Sequence, residues 1–503
     1  MLRSIIGSIL CALTALMSFC VYPGSIDKEA LQIPPLFDET KISPITDGLG
    51  SAHNRKKQTI AVATILSPLA FDEEKKSIKA ELVSGLLSVY GLALENDAKY
   101  RGAIGANRAA QELQPQARSY LLPNMELSLG VAENDRDIRK GGLYRTMGQA
   151  GFTSEEMKVT VTQPIYHKDL WVQLGQAKNR IKKADFNLAL ARQELMVRVA
   201  ERYFEVLRTT DGLTFAEAEK KAIDKQLQQV RKQFKAGLIG ITDVEEAKAR
   251  YDLAIAREIE AKTQIDNAHE ALWQITGKYL PRLGPLGKRM QPVFPEPNDI
   301  DRWTQIALAQ NIELAIARQS AEVARTEIKR VRAGHLPTLD LVGTHYREGN
   351  SADQYGERDT RTSSITLQFR LPIYQGGLVL SQSREAIHRH SHSQALEEMV
   401  EISRSVQQKT RDGFWKVRSG ISHINALKQV LQSTEIALKA VKKGFYVGTR
   451  NSVDVLNSQR KMFRAKKDHA DARYDYVLDV LRLKQVAGVL SKEDLVMVNG
   501  WLE

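Results

Sequence analysis

Two hydrophobic periods occupy separate blocks of this chain. Along Leu195, Val199, Tyr203, Val206 and Leu207, apolar residues recur every three or four positions, the period of a helix with one buried face. The stretches 165–280 and 373–503 contain no proline and are rich in Ala, Leu, Glu, Lys, Gln and Arg. These are good helix formers, and an interior proline would have broken the helix. The pattern predicts long helices over 169–235 and 378–446, each followed across a glycine turn by a second helix, 242–276 and 452–487. At 1.5 Å per residue the first is a rod of about 100 Å, which must pack lengthwise against others as in a coiled coil. The short connections make each pair antiparallel.

The second period is two. Met125-Glu126-Leu127-Ser128-Leu129, Val159-Thr160-Val161-Thr162, Leu339-Asp340-Leu341 and Ile365-Thr366-Leu367-Gln368-Phe369-Arg370-Leu371 alternate apolar with polar residues. This predicts strands over about 121–131, 157–165, 336–344 and 365–373, with one aliphatic face and one face carrying Glu126, Asp340 and Arg370. Two uses of such a face compete. It can cover a soluble core, or it can meet lipid while the polar face lines water, as in an outer-membrane barrel. The segments 132–156 and 345–364, rich in Gly, Asp, Arg and Ser, read as long surface loops of a barrel. Four strands cannot close a barrel with a lumen, because bacterial barrels start at about eight. The strands must therefore come from several copies, and three copies would give twelve, continued by the helices as a tube.

The chain repeats itself. AGLIGITDV (236–244) aligns with VGTRNSVDV (447–455), superposing Gly237 on Gly448 and Asp243 on Asp454; the helix-ending Gly277 and Gly488 also match. LLPNMELSLG (121–130) pairs with HLPTLDLVG (335–343), and QPIY (163–166) with LPIY (371–374). Each half, 71–280 and 301–490, reads helix, strand, loop, strand, long helix, glycine turn, helix. Pro281, Pro285, Pro292, Pro295 and Pro297 mark 281–300 as a linker between the halves, and 491–503 follows the second.

Composition narrows the function. The net charge of +12 comes from basic residues mixed with acids, as in AEAEKKAIDKQ (216–226), which argues for a solvated helical surface and against nucleic-acid binding. Cys11 and Cys20 are the two cysteines. They fall in an apolar run, Ile5 to Tyr22, laid out after Arg3 like an export signal. A second such run, Ile60 to Ala70, follows Arg55-Lys56-Lys57, so 1–70 reads as a signal region with an uncertain cleavage point. A membrane anchor is the alternative for the first run. A chain trimmed there has no thiol for disulfides, catalysis or zinc. His388, His390 and His392 suggest a metal site, but only His388 and His392 share a helical face, so a solvated face is the reading and no metal is assigned. No P-loop, nucleophile elbow or paired-carboxylate pattern appears. The sequence calls for no enzyme activity and no cofactor.

These motifs, with GLIGITDVEEAKARYDLAIA (237–256), NAHEALWQITGKYLP (267–281), LPIYQGG (371–377) and VGTRNSVDVL (447–456), make the chain closely resemble the TolC family of outer-membrane efflux proteins. The resemblance implies a trimeric, twelve-stranded barrel in the outer membrane and a long periplasmic α-helical tunnel. It implies an equatorial domain, to which 279–300 and the C-terminal segment belong. It implies an exit duct for small molecules such as drugs or for type I protein secretion, working with a periplasmic adaptor and an inner-membrane RND, MFS or ABC transporter. The glycine turns lie far from the strands and so form the periplasmic tips. There the resemblance implies a gate in which Arg450 of one protomer pairs with Thr242 and Asp243 of its neighbour. The family's tyrosine in that clasp is Phe445 here, and its two aspartate rings are reduced to Asp454, with Asn457 at the second position. Adaptor contacts map near Gly237, Leu238, Gly448 and Thr449. Helix N-capping is the competing role for Asp243 and Asp454. The competing function is a periplasmic structural coiled coil without channel activity, which explains the rods but not the alternating strands.

Overall fold

The chain is built around helices of rod length. A computed structural model describes residues 84–503 apart from 139–147, 288–289, 354–355 and 374–376. The signal region 1–70, Cys11 and Cys20 lie outside the described residues. Three short helices come first, α1 (Leu86–Asn96), α2 (Ala98–Gln111) and α3 (Leu113–Ser119). Strands β1 (Asn124–Ile138) and β2 (Gly148–Tyr166) lead into the antiparallel pair α4 (Lys168–Lys235) and α5 (Ile241–Thr276). Helices α6 (Ile300–Gln310) and α7 (Ile312–Ala333), strands β3 (Thr338–Asp353) and β4 (Gly356–Arg370) and the pair α8 (Gly377–Tyr446) and α9 (Ser452–Val486) follow in the same order. A short helix, α10 (Lys492–Asn499), ends the chain.

Helix α4 carries Asp169 in its first turn and Lys232 and Lys235 in its last, charges that complement the helix dipole. Leu195, Val199, Tyr203, Val206 and Leu207 are all buried, as their spacing predicts. They form the middle of one core with Leu86, Tyr90, Leu272, Trp303, Phe414, Tyr474, Leu481 and Leu495. Helix α4 packs on α5, α7 and α9, while α8 packs on α9, α7 and α6. A smaller core nearer the tips joins Ile223, Leu227 and Val230 of α4 to Val244, Ala247 and Ala254 of α5 and Leu456 of α9.

The proline-rich segment is held against this core. The Tyr203 hydroxyl donates to the Gly284 carbonyl at 2.8 Å, and burial pushes that phenol's pKa up. The backbone N–H of Val293 donates to the Tyr476 hydroxyl at 2.8 Å, and the Trp303 indole N–H donates to the Pro297 carbonyl at 2.8 Å. Gly287 and Glu503 donate backbone N–H groups to Trp501 and Pro285, so the segment and the chain's end run side by side.

The four strands form one antiparallel sheet in the order β1-β2-β3-β4. Directly paired residues share a face, so Met125, Val161, Gly343 and Ile365 lie in one row. Glu126, Thr160, Thr344 and Ser364 form a polar row on the other side. The apolar face is uncovered in the protomer: Leu129, Val131, Ile365 and Leu367 are 71%, 75%, 83% and 64% exposed. A soluble core beneath it, one of the two uses weighed above, is absent among the described residues.

The strands outrun their alternation. Residues expected as loops pair as strand, from Val131↔Glu155 to Ile138↔Gly148 and from Thr344↔Ser364 to Asn350↔Arg358. The reason is physical: a ladder held by backbone hydrogen bonds persists where both faces are polar, and there the hydrophobic period disappears.

Candidate functional site: the helical tips

The sequence makes the same turn twice. At 236–238 the backbone N–H groups of Ala236, Gly237 and Leu238 donate to the carbonyls of Lys232, Phe234 and Gln233. At 447–449 those of Val447, Gly448 and Thr449 donate to Lys443, Phe445 and Gly444, the corresponding positions. The bond reaching back five residues marks a Schellman closure, which requires a left-handed residue at its centre. Gly237 and Gly448 supply it with φ of 70° and 79°. The turns present an apolar surface, for Leu238, Tyr446 and Val447 are 72%, 75% and 76% exposed and Ile241 is exposed as well.

Behind the second turn, Asn451 caps α9. Its side chain accepts the Asp454 N–H at 2.8 Å, and the Asp454 carboxylate accepts the Asn451 N–H at 3.4 Å. Asp454 is thus the third helical residue of a capping box rather than the N-cap itself. Asp243 caps nothing either: Gly240 precedes α5 without a side-chain cap, and Asp243 accepts from the Ser452 hydroxyl at 3.3 Å, tying the two tips together. Arg450 approaches Asp454 of its own chain, at 3.8 Å, with both side chains well exposed. Thr242 is exposed and Phe445 half-buried, its ring 6.3 Å from that of Tyr446.

Asn457 lies deeper. Its side-chain oxygen accepts from Arg250 of α5 at 3.1 Å, and Arg250 also pairs with Glu246 at 2.9 Å. Sequence reasoning missed Arg250, Ser452 and Asn451. Only Asn451 left a local signal, the Asn-x-x-Asp spacing ahead of an apolar run. Arg250 meets Asn457 across a separation of 207 residues, which no periodicity records.

Toward the middle of the rods, ion pairs stitch α4 to α9. Arg208 of α4 pairs with Asp475 and lies 3.9 Å from Asp471. Arg482 pairs with Glu201 at 2.7 Å, and the Tyr474 hydroxyl donates to Asp211 at 2.7 Å. Burial pushes the Asp471 carboxyl above the usual range, against the opposing pull of Arg208 and Lys467. At the strand end of the rods the Arg330 guanidinium, the largest influence, holds the Glu327 carboxyl down at about 2, with Gln176 donating to it as well. His388 and His392 are half-buried and His390 exposed; among the described residues no group of three or more His, Cys, Asp or Glu is placed to hold a metal ion.

Comparison with known proteins agrees with this architecture. The profile of the family described as "Outer membrane efflux protein" matches residues 89–278 and 303–489. The chain is 35% identical over 428 residues to outer membrane protein TolC of Escherichia coli (strain K12), covering 83% of this chain and 85% of that one. It is 31% identical over 418 residues to the alkaline protease secretion protein AprF of Pseudomonas aeruginosa, covering 82% and 86%. The crystal structure of the Campylobacter jejuni CmeC outer membrane channel superposes with a TM-score of 0.70 at 16% identity, covering 92% of this chain and 98% of that one. Rods, uncovered sheet and sequence kinship give one conclusion: the chain belongs to the TolC-type outer membrane efflux protein family and resides in the outer membrane with its helical tunnel in the periplasm.

Proposed function

We propose that three copies of this chain form a gated duct through which small molecules or secreted proteins leave the cell, with a twelve-stranded barrel in the outer membrane. The observation that carries the reading is the four-stranded sheet with its uncovered apolar face, set on helical rods. A periplasmic structural coiled coil would expose that face to water at a large cost in solvation. The paired glycine turns and the two family matches support descent from a duplicated unit.

The duct closes at the tips. Arg450, Thr242 and Asp243 form the clasp between protomers, with Phe445 beside it, and Asp454 supplies a ring of carboxylates. Within one chain Asp454 already engages Arg450. The clasp therefore exchanges an intrachain partner for an interchain one, and a few such links hold the closed state by a few kcal/mol in all. The exposed Leu238 and Val447, with Gly237, Gly448 and Thr449, form the apolar tip on which a periplasmic adaptor seats, and an inner-membrane RND, MFS or ABC transporter drives the cargo.

Planar-bilayer recording tests this. Purified protein should run as a heat-modifiable trimer and conduct weakly, and Arg450→Ala should raise the open probability by about tenfold, as the loss of roughly 1.4 kcal/mol of closing energy requires. A trimer that never conducts, or a variant that conducts like wild type, overturns the duct or the clasp respectively.

A further inference from the structure

Above the tips, α4 and the α8–α9 pair border an open groove of about 370 Å³. Its walls carry Lys221 and Lys225 from α4 and Lys442 from α8, and no carboxylate lines it. Elsewhere along the rods, cations are commonly matched by acids, as in Lys220 with Glu258, Lys262 with Glu258 and Arg257 with Glu219. Here three ammoniums border one groove with no acid among its lining residues. Phe445 and the largely exposed ring of Tyr446 add an apolar wall.

The floor supplies an independent observation. Gln226 of α4 and Gln459 of α9 both line the groove and are only 6% and 3% exposed. The Gln226 Nε2 donor and the Gln459 Oε1 acceptor are buried with no hydrogen-bond partner. Buried polar atoms are almost always satisfied, and leaving one unpaired costs about 1–3 kcal/mol. A donor without an acceptor, on a residue lining a groove with three cations, suits an anionic oxygen.

We propose that this groove binds an amphipathic organic anion: a ring or aliphatic body against Phe445 and Tyr446, with a carboxylate or sulfonate among Lys221, Lys225 and Lys442. Such a ligand joins α4 to the α8–α9 pair. Its binding is read without conduction, so failure of the duct reading leaves this test intact.

Saturation-transfer NMR on the full-length protein in lipid nanodiscs tests it with naphthalene-2-sulfonate and, as the neutral analogue, naphthalene-2-methanol. The sulfonate should bind about tenfold more tightly than the alcohol, and added salt should erase most of that difference because the ammoniums are exposed. A Lys225→Gln, Lys442→Gln double variant should lose about tenfold for the sulfonate and little for the alcohol. Equal affinity for the two probes in wild type, a sulfonate affinity indifferent to salt, or no saturable sulfonate binding overturns the proposal without reference to any variant. So does an unchanged sulfonate affinity in a double variant with wild-type thermal stability.

Discussion

Asn457 shows how one residue's surroundings alter what its identity implies. In the duct proposed above, Asn457 would leave Asp454 as the one carboxylate ring and make a weaker cation filter, with Asn457→Asp as the repair. The structure places the Arg250 guanidinium 3.1 Å from the Asn457 oxygen, and a carboxylate there would share that cation with Glu246 and have its charge blunted. The expected outcome in bilayer recordings is a small rise in cation selectivity for Asn457→Asp. A clearly larger one, on the order of twofold or more, is expected for the Asn457→Asp, Arg250→Ala pair, because unit charges a few Å apart interact by a few kcal/mol in a partly buried site. Equal selectivity of the single and double variants would count against Arg250 as the neutralising group. At this scale the sequence displays residues whose role is local. Gly237 and Gly448 were legible because a left-handed turn demands glycine wherever it occurs, and the alignment of the halves points to both. Asp454 was legible as a conspicuous acid. Arg250 and Ser452 were not, because their partners arrive from the other half of the chain through packing.

Between elements, the stability of the rods rests on more than their apolar stripes. Arg208 of α4 answers Asp471 and Asp475 of α9 in a site whose burial already pushes the Asp471 carboxyl above its ordinary range. A carboxyl with a raised folded-state pKa holds its proton more tightly folded than unfolded, so its contribution to stability grows as pH falls and is lost as pH rises through the folded value. Arg208→Ala removes a compensating charge and pushes that carboxyl higher still. The variant should unfold with a deficit of about 1–2 kcal/mol at pH 7.5, given the partial exposure of the site. The deficit should shrink as pH is lowered from 7.5 and Asp471 takes up its proton. Thermal melts of the purified protein at a series of pH values check it; a deficit that widens at low pH would remove Asp471 from the explanation. Helix positions were readable here because a rod must keep its apolar stripe for its whole length, as Leu195 through Leu207 do. Strand ends were not: the ladder beyond Val131 and Thr344 runs on backbone hydrogen bonds through residues mostly polar on both faces, and such residues look like a loop.

For the whole molecule the decisive question is which side of the sheet meets lipid. Strands β1 and β4 are the two edges and run antiparallel to each other, so β4 of one copy can pair with β1 of the next without breaking the alternation. Repeating that contact around an axis closes a ring and leaves no edge, and it puts the row of Met125, Val161 and Ile365 on one side all the way round. If that side is the lipid side, a charge there carries the depth-dependent cost of a barrel exterior, about 2–4 kcal/mol for Arg near the midplane, while the same charge on the other side meets water. Two substitutions separate the cases. Leu127→Arg lies on the apolar face, 60% exposed in the single chain, where a merely solvated position would tolerate arginine within about 0.5 kcal/mol. Thr160→Arg lies on the opposite face, directly across from Glu126, and gains a partner. The expected result is a sharp loss of heat-modifiable trimer from the outer-membrane fraction for Leu127→Arg, with Thr160→Arg assembling as wild type does. The reverse order would put the aliphatic face in the lumen and turn the barrel inside out, and equal assembly of both would leave the sheet with no lipid contact at all.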